Sequence, residues 1–273
     1  MVMMMYKLIA LDMDGTLLNS DKQISAENKA AITAAREKGV VVVLASGRPL
    51  NGMKPQLEEL GMTTENDYVL SYNASLVQKV KNEEVIRSQI ITGADAKAIA
   101  KLAQELGVNV HAFSQEKGLI TPALSHYTEH ESKITGMPIT VIDFEELADD
   151  EQILKAMMID EPELLSAAIK QLPEALYKQF TIVQSAPFFL EFLNPNSNKG
   201  VGVEALADHL GITADEVICM GDAGNDWHMI KYAGLGVAMA NATDDVKEIA
   251  NHITVSNNEH GVAKVIEEFV LSA

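Results

Sequence analysis

The sequence predicts an α/β protein, a doubly wound parallel sheet into which an α+β segment is inserted. Three observations carry that prediction. Short apolar runs alternate with helical stretches over the first 83 residues. From 84 to 194, strand-like runs succeed one another with few helices between them. After Asn194-Pro195-Asn196-Ser197-Asn198 the β-α alternation returns. The core is therefore expected to be discontinuous, residues 1–83 plus 195–273, with 84–194 as the insert.

Residues 6–11 are a short apolar run ending at Asp12, which suits a buried parallel strand. Ser25 can cap a helix that reaches about residue 38, with Ile32 and Ala35 inward and Gly39 as its stop. Residues 40–45 are β-branched and apolar, a central strand. Pro49 can open the next helix and Gly61 can end it. Residues 68–71 read as a third strand. In the insert, strands are expected at 108–113, 118–121, 139–142, 153–159, 180–184 and 188–193, with helices at 95–106 and near 163–172. The returning core should hold a helix near 200–210, strands at 217–220 and 235–238, and helices around 225–232 and 262–270.

The composition is that of a globular protein: 273 residues, 47% hydrophobic and 22% charged. The formal charge of −18 works against binding to nucleic acid or anionic lipid. Cys219 is the single cysteine, so no intrachain disulfide can form. No apolar run reaches the ~18 residues needed to span a bilayer. Met1-Val2-Met3-Met4-Met5 lacks the order of a signal peptide. A cytoplasmic location is the expectation. The sequence leaves the oligomeric state open.

In open parallel sheets, ligands bind at the carboxyl ends of the strands. The residues at the carboxyl end of each core strand are therefore informative. Asp12-Met13-Asp14-Gly15-Thr16 comes after the first, Ser46-Gly47-Arg48 after the second and Tyr72-Asn73 after the third. Lys199-Gly200 opens the returning helix, and Gly221-Asp222-Ala223-Gly224-Asn225-Asp226 comes after the next strand. Any one of these could be a turn or a helix cap. Together they bring four carboxylates, a hydroxyl, a lysine and an arginine to one sheet edge. Clustered carboxylates call for a hard cation. A hydroxyl, a lysine and backbone N–H groups suit a phosphate dianion. The set predicts a Mg²⁺-and-phosphate site.

These motifs resemble those of the haloacid dehalogenase-like (HAD) phosphatases of the Cof type, and closely the YidA-type sugar-phosphate phosphatases. The resemblance rests on Asp12-Met13-Asp14-Gly15-Thr16-Leu17-Leu18, Ser46-Gly47-Arg48-Pro49, Asn198-Lys199-Gly200 and Gly221-Asp222 with Asn225-Asp226. It extends into the insert at Met157-Met158-Ile159-Asp160-Glu161-Pro162. It implies a Rossmann-like core with a C2-type cap and a phosphomonoester hydrolase acting on a small phosphorylated metabolite. Asp12 would be the nucleophile that becomes an aspartyl phosphate, and Asp14 the general acid and base. Mg²⁺ would be held by Asp12, the Asp14 backbone carbonyl and Asp222, with Asp226 outer or additional. Ser46, Gly47, Arg48, Lys199 and Asn225 would bind the phosphoryl group. Asp14 would need neighbouring charge to raise its pKa above the ordinary value of about 4. The sequence departs from the family at Asn73-Ala74-Ser75, where Asn-Gly-Ala is common, and in using Ser46 where Thr is more usual.

Other matches point elsewhere. His126-Tyr127-Thr128-Glu129-His130 fits a zinc-peptidase pattern, but it lies in the insert, away from the carboxylate edge. Gly200-Val201-Gly202-Val203-Glu204-Ala205 fits a loose dinucleotide fingerprint but reads better as a helix start. Cys219 and Trp227 read as packing residues. A phospho-accepting signalling domain uses similar side chains, but its accepting aspartate sits on the third strand, which here ends Ser71-Tyr72-Asn73.

Overall fold

The computed structural model describes residues 6–272, so the reading of Met1–Met5 lies outside the described residues. In chain order the strands are β1 (Leu8–Leu11), β2 (Val41–Ala45), β3 (Tyr68–Ser71), β4 (Leu76–Lys79), β5 (Val85–Ser88), β6 (Ile91–Thr92), β7 (Asn109–Ser114), β8 (Gly118–Thr121), β9 (Ile139–Val141), β10 (Gln152–Ile159), β11 (Thr181–Ala186), β12 (Phe189–Leu193), β13 (Val217–Gly221), β14 (Leu235–Ala238) and β15 (His252–Ile253). Two compact units result: the chain through Ser88 together with Asn198 onward, and Gln89–Ser197. No helix among the described residues is long and apolar enough to cross a membrane.

The core unit is built on one sheet in the order β15-β14-β13-β1-β2-β3-β4-β5. Strands β15 to β3 are parallel; β4 and β5 add antiparallel. β1 lies between β13 and β2, with Leu8 opposite both Val217 and Val41. The strand order therefore reverses beside β1, where such sheets open a crevice for ligand. All four β1 residues are buried, as expected for a strand covered on both faces. The Ala26–Glu37 helix starts at Ser25, whose side chain accepts from Asn28 N, and it packs with the Gly261–Ile266 helix. The Lys199–Leu210 helix starts at Asn198, which accepts from Val201 N, and it packs with the Trp227–Tyr232 helix.

The inserted unit has an essentially antiparallel sheet, β11-β12-β10-β7-β8-β9, with only β8 and β9 parallel. The apolar face of this sheet (Ala112, Ile120, Ala156, Met158, Phe192) shares a core with Ala96, Ile99 and Ala103 of the Gly93–Leu106 helix and Leu165 and Ala168 of the Pro162–Ile169 helix. Its insertion into the parallel core gives the fold class predicted from the sequence.

Several details differ. The sequence reading set the junctions at 84 and 194; β5 pairs with β4 and so belongs with the core unit. At the other junction, Asn194 donates to Ile90 O and Pro195 O accepts from Thr181, which ties this stretch to the insert. Pro49 precedes a short 3₁₀ turn, Leu50–Gly52, and the helix itself is Lys54–Glu59 with a proline in its first turn. The β4–β5 hairpin and the two-residue β15 were not foreseen.

Candidate active site

Asp12 comes directly after β1, and its N–H donates to Met220 O across to β13. The chain then turns tightly, with Leu17 N on Asp12 O and Leu18 N on Met13 O. Gly15 makes the turn possible. Its φ is +87°, and a Cβ there would lie 2.3 Å from an Asp222 carboxylate oxygen. Thr16 Oγ1 donates to Asp222 Oδ1 at 2.9 Å, so this loop orients the carboxylate that stands after β13.

Lys199, the first residue of its helix, is fully buried. Its Nζ lies 2.5 Å from Asp12 Oδ1 and 2.6 Å from Asp226 Oδ1. Asp226 Oδ2 accepts from the N–H groups of Asp222 and Ala223. Asp226 thus closes the loop after β13 and anchors Lys199. Carboxylate oxygens of Asp12, Asp222 and Asp226 lie within 4.8 Å of one another, a group able to hold a metal ion. Burial and the Asp226 charge push Asp12 upward in pKa, against the pull of Lys199. Asp222 is pushed up to about 6, by burial first and then by Asp226. Burial works against the charge on Lys199, but Asp12 and Asp226 outweigh it and raise its pKa. With all three carboxyls ionised, as metal binding would require, the one ammonium leaves two negative charges for a cation to balance.

Ser46 is buried after β2, and its Oγ accepts from Arg48 N at 3.2 Å, which leaves its own O–H to donate. Arg48, expected at the phosphate, reaches Asp14 instead: Nη2 lies 2.8 and 2.7 Å from its two oxygens. Lys22 Nζ adds a contact to Asp14 at 2.8 Å. Lys22 is placed there by a turn at φ 60°, in which the Asn19 side chain accepts from the N–H groups of Asp21 and Gln23. Burial raises the Asp14 pKa, but Lys22 and Arg48 outweigh it and hold the carboxyl below its ordinary value. The sequence reading required the opposite direction. Asn225 donates from Nδ2 to Asn73 Oδ1 at 3.1 Å.

The residues named from the sequence are thus gathered at the carboxyl edge of one sheet. Matching this chain against known families gives the haloacid dehalogenase-like hydrolase family over residues 9–266. The chain belongs to that family. It is 45% identical over 270 residues to the Bacillus subtilis protein named "Putative phosphatase YxeH", covering 98% of this chain and 100% of that one. It is 34% identical to the B. subtilis 5-amino-6-(5-phospho-D-ribitylamino)uracil phosphatase YcsE, over 97% of this chain and 96% of the relative. Among solved structures, a haloacid dehalogenase-like hydrolase from Bacteroides thetaiotaomicron matches at 33% identity and a TM-score of 0.84, covering 96% of this chain and 98% of the other. As a haloacid dehalogenase-like hydrolase, the chain is an enzyme.

Sequence reasoning missed Thr16, Lys22 and Asn73 as site residues. Thr16 stands within the first acidic motif, and Asn73 at the end of the third strand. Lys22 had no local signal, because it reaches Asp14 only through the turn. The peptidase pattern does not form a metal group among the described residues. His126 packs edge-on to Tyr127, and His130 against Phe188. Cys219 is a fully buried strand residue whose thiol burial pushes up in pKa, which fits a packing role.

Proposed function

We propose that this hydrolase is a Mg²⁺-dependent phosphatase acting on sugar phosphates or similar small phosphometabolites through an aspartyl phosphate on Asp12. The observation that carries the reading is the buried Lys199 bridging Asp12 and Asp226, with Asp222 beside them. The donor set fits the metal: hard oxygen ligands with a surplus of two negative charges. Asp12, the Asp14 backbone carbonyl and Asp222 would hold it, with Asp226 in an outer role. When bound, Mg²⁺ supplies charge neutralisation for the phosphoryl oxygens.

Lys199, the Ser46 hydroxyl, the Gly47 backbone and Asn225 bind and orient the phosphoryl group. An Asp12 oxygen attacks phosphorus; the new P–O bond forms as the bond to the leaving oxygen breaks. Asp14, after taking a proton from solvent, gives it to that oxygen; it then takes one from the water whose oxygen attacks phosphorus as the bond between phosphorus and Asp12 breaks, freeing phosphate and the Asp12 carboxylate. Held by Arg48 and Lys22, Asp14 is ionised and competent for the second of these steps. An arriving phosphate dianion competes for both cations, and their withdrawal raises the Asp14 pKa towards what the first step needs.

The inserted unit is assigned the selection of the leaving group. A relative named for a phosphoribitylaminouracil substrate supports the small-phosphometabolite class. The acidic charge supports a small-molecule rather than nucleic-acid partner, and a cytoplasmic location fits the single, buried cysteine. The test is a phosphate-release screen over sugar, polyol and p-nitrophenyl phosphates, with Mg²⁺ and with chelator. Metal-dependent release from part of the panel is expected. Release from none, or equal release with chelator, overturns the reading.

A further inference from the structure

We propose that Asn73 is a positioning residue that sets the Asn225 side-chain amide at the phosphoryl site, and that a left-handed turn is kept to hold it there; this rests on the phosphatase reading. Tyr72, Asn73 and Ala74 have φ of 53°, 53° and 67°, three non-glycine residues in succession in the left-handed region. Asparagine tolerates that region, whereas tyrosine and alanine adopt it at a cost. Such strain persists only where the surroundings enforce it, and it gathers at functional sites.

The surroundings here are the three segments that carry the phosphoryl-binding residues. Tyr72 N donates to Arg48 O at 3.1 Å, and Asn73 N to Ser46 O at 2.9 Å. The turn is thereby pinned to the Ser46–Arg48 loop. The Ala74 methyl lies against bare backbone of the helix that Lys199 begins: a Cβ on Gly202 would come within 2.3 Å of it. The third segment is reached by the Asn73 side chain, whose Oδ1 accepts from Asn225 Nδ2. The same amide lies along Gly47, where an added Cβ would meet Asn73 Nδ2 at 3.3 Å. Asn73 is buried, so its amide is not free to turn towards water. A side-chain amide rotates about two torsions; this hydrogen bond selects one orientation for Asn225. The resemblance assigns Asn225 to the phosphoryl group but gives no reason for its orientation, and Asn73 supplies one.

The informative variant is Asn73→Gly, because glycine takes the left-handed conformation freely while the amide is lost. With p-nitrophenyl phosphate and Mg²⁺, Asn73→Gly is expected to lower kcat by about 10- to 100-fold with a smaller change in KM, as misplacement of a binding group does. The melting temperature should hold. Asn225→Ala should show a similar loss, and the double variant should be no worse than Asn225→Ala alone. A structural role alone predicts wild-type kcat in Asn73→Gly, and losses that multiply in the double variant refute the coupling. The ¹⁵N–¹H signals of the Asn225 side-chain amide give a readout independent of turnover. They should shift and exchange faster in Asn73→Gly, and be restored in Asn73→Asp, which keeps the acceptor. Unchanged signals overturn the proposal. An inactive wild type would count against the phosphatase reading instead, with the amide signals still deciding the role of Asn73.

Discussion

In the core unit Lys199 lies 2.5 Å from Asp12 and 2.6 Å from Asp226, with Asp222 nearby; in the inserted unit Lys155 lies 3.1 Å from Glu191 and 3.8 Å from Glu131. Both lysines are buried, and both face more than one carboxylate. The difference is where the chain places them. The core acids stand on loops at the ends of β1 and β13, where backbone N–H groups and Thr16 can aim the carboxylates at one point. In the insert, Lys155 and Glu191 project from the middles of β10 and β12, and Glu131 from the His126–Thr135 helix. The insert's acids form no metal-competent group among the described residues, and Glu191 Oε2 has no hydrogen-bond partner. A buried ionic cluster is thus not in itself a site. Convergence at the carboxyl edge of the sheet makes the core cluster a candidate for chemistry.

The comparison can be broken by substitution, and the largest expected effect is at Asp12. Asp12→Asn should lower turnover by about 10⁴-fold or more, because an amide cannot attack phosphorus as a carboxylate does. Near-normal phosphate release by that variant contradicts the site. In Asp14→Asn the first step, loading of the phosphoryl group onto Asp12, should slow by roughly 10²–10⁴ with sugar phosphates and much less with p-nitrophenyl phosphate, whose leaving group needs little protonation, as single-turnover rates would read. Equal losses on the two substrates would remove Asp14 from the acid role.

Removing the lysines sharpens the contrast between the units. Lys199→Met should destabilise by about 3–5 kcal/mol, since it strands buried carboxylates, and should also abolish activity. Lys155→Met should cost a comparable amount of stability by the same reasoning. At a temperature where it remains folded, however, it should hydrolyse p-nitrophenyl phosphate normally. Denaturant melts and initial rates on both variants separate these outcomes.

The effect that is smallest near neutrality, and felt only in acid, is one of pH. His111, buried beside Thr128 and Met157, is pushed down to about 3, by burial first and then by the Lys155 charge. The folded chain keeps it neutral, while the unfolded chain takes a proton below the ordinary value of 6.5. Its stability contribution is therefore complete above about pH 6.5 and is lost as pH falls towards 3, at up to about 1.4 kcal/mol per pH unit. His111→Gln should flatten the acid limb of the stability curve. An unchanged acid limb would show that His111 is not held neutral.

The parallel core was legible because its strands are short apolar runs and each ends in a polar motif. The insert's strands at 118–121 and 153–159 were legible for similar reasons. The β4–β5 hairpin was not, since Gln78 and Lys79 dilute its apolar pattern and its turn is charged, Lys81-Asn82-Glu83-Glu84. β15 is two residues long and owes its existence to pairing with β14. In the site, residue identity indicated which groups gather, but not their partners. Asp14 was expected to be raised in pKa and is lowered, because Lys22 and Arg48 reach it through a turn and a loop that only the folded chain brings together. Lys199 was expected at the phosphoryl group, but nothing in Asn198-Lys199-Gly200 could show that it is buried between two carboxylates.

The most direct test of the central claim is to find the phosphoryl group on Asp12. Asp14→Asn slows the water-attack half of the reaction, so p-nitrophenyl phosphate, which loads without acid assistance, should leave the variant phosphorylated. After an acid quench, peptide mass spectrometry should place one phosphoryl group on Asp12, released by hydroxylamine and absent when Asp12→Asn is added. Continued phosphate release with no adduct, or an adduct on another residue, would contradict the account.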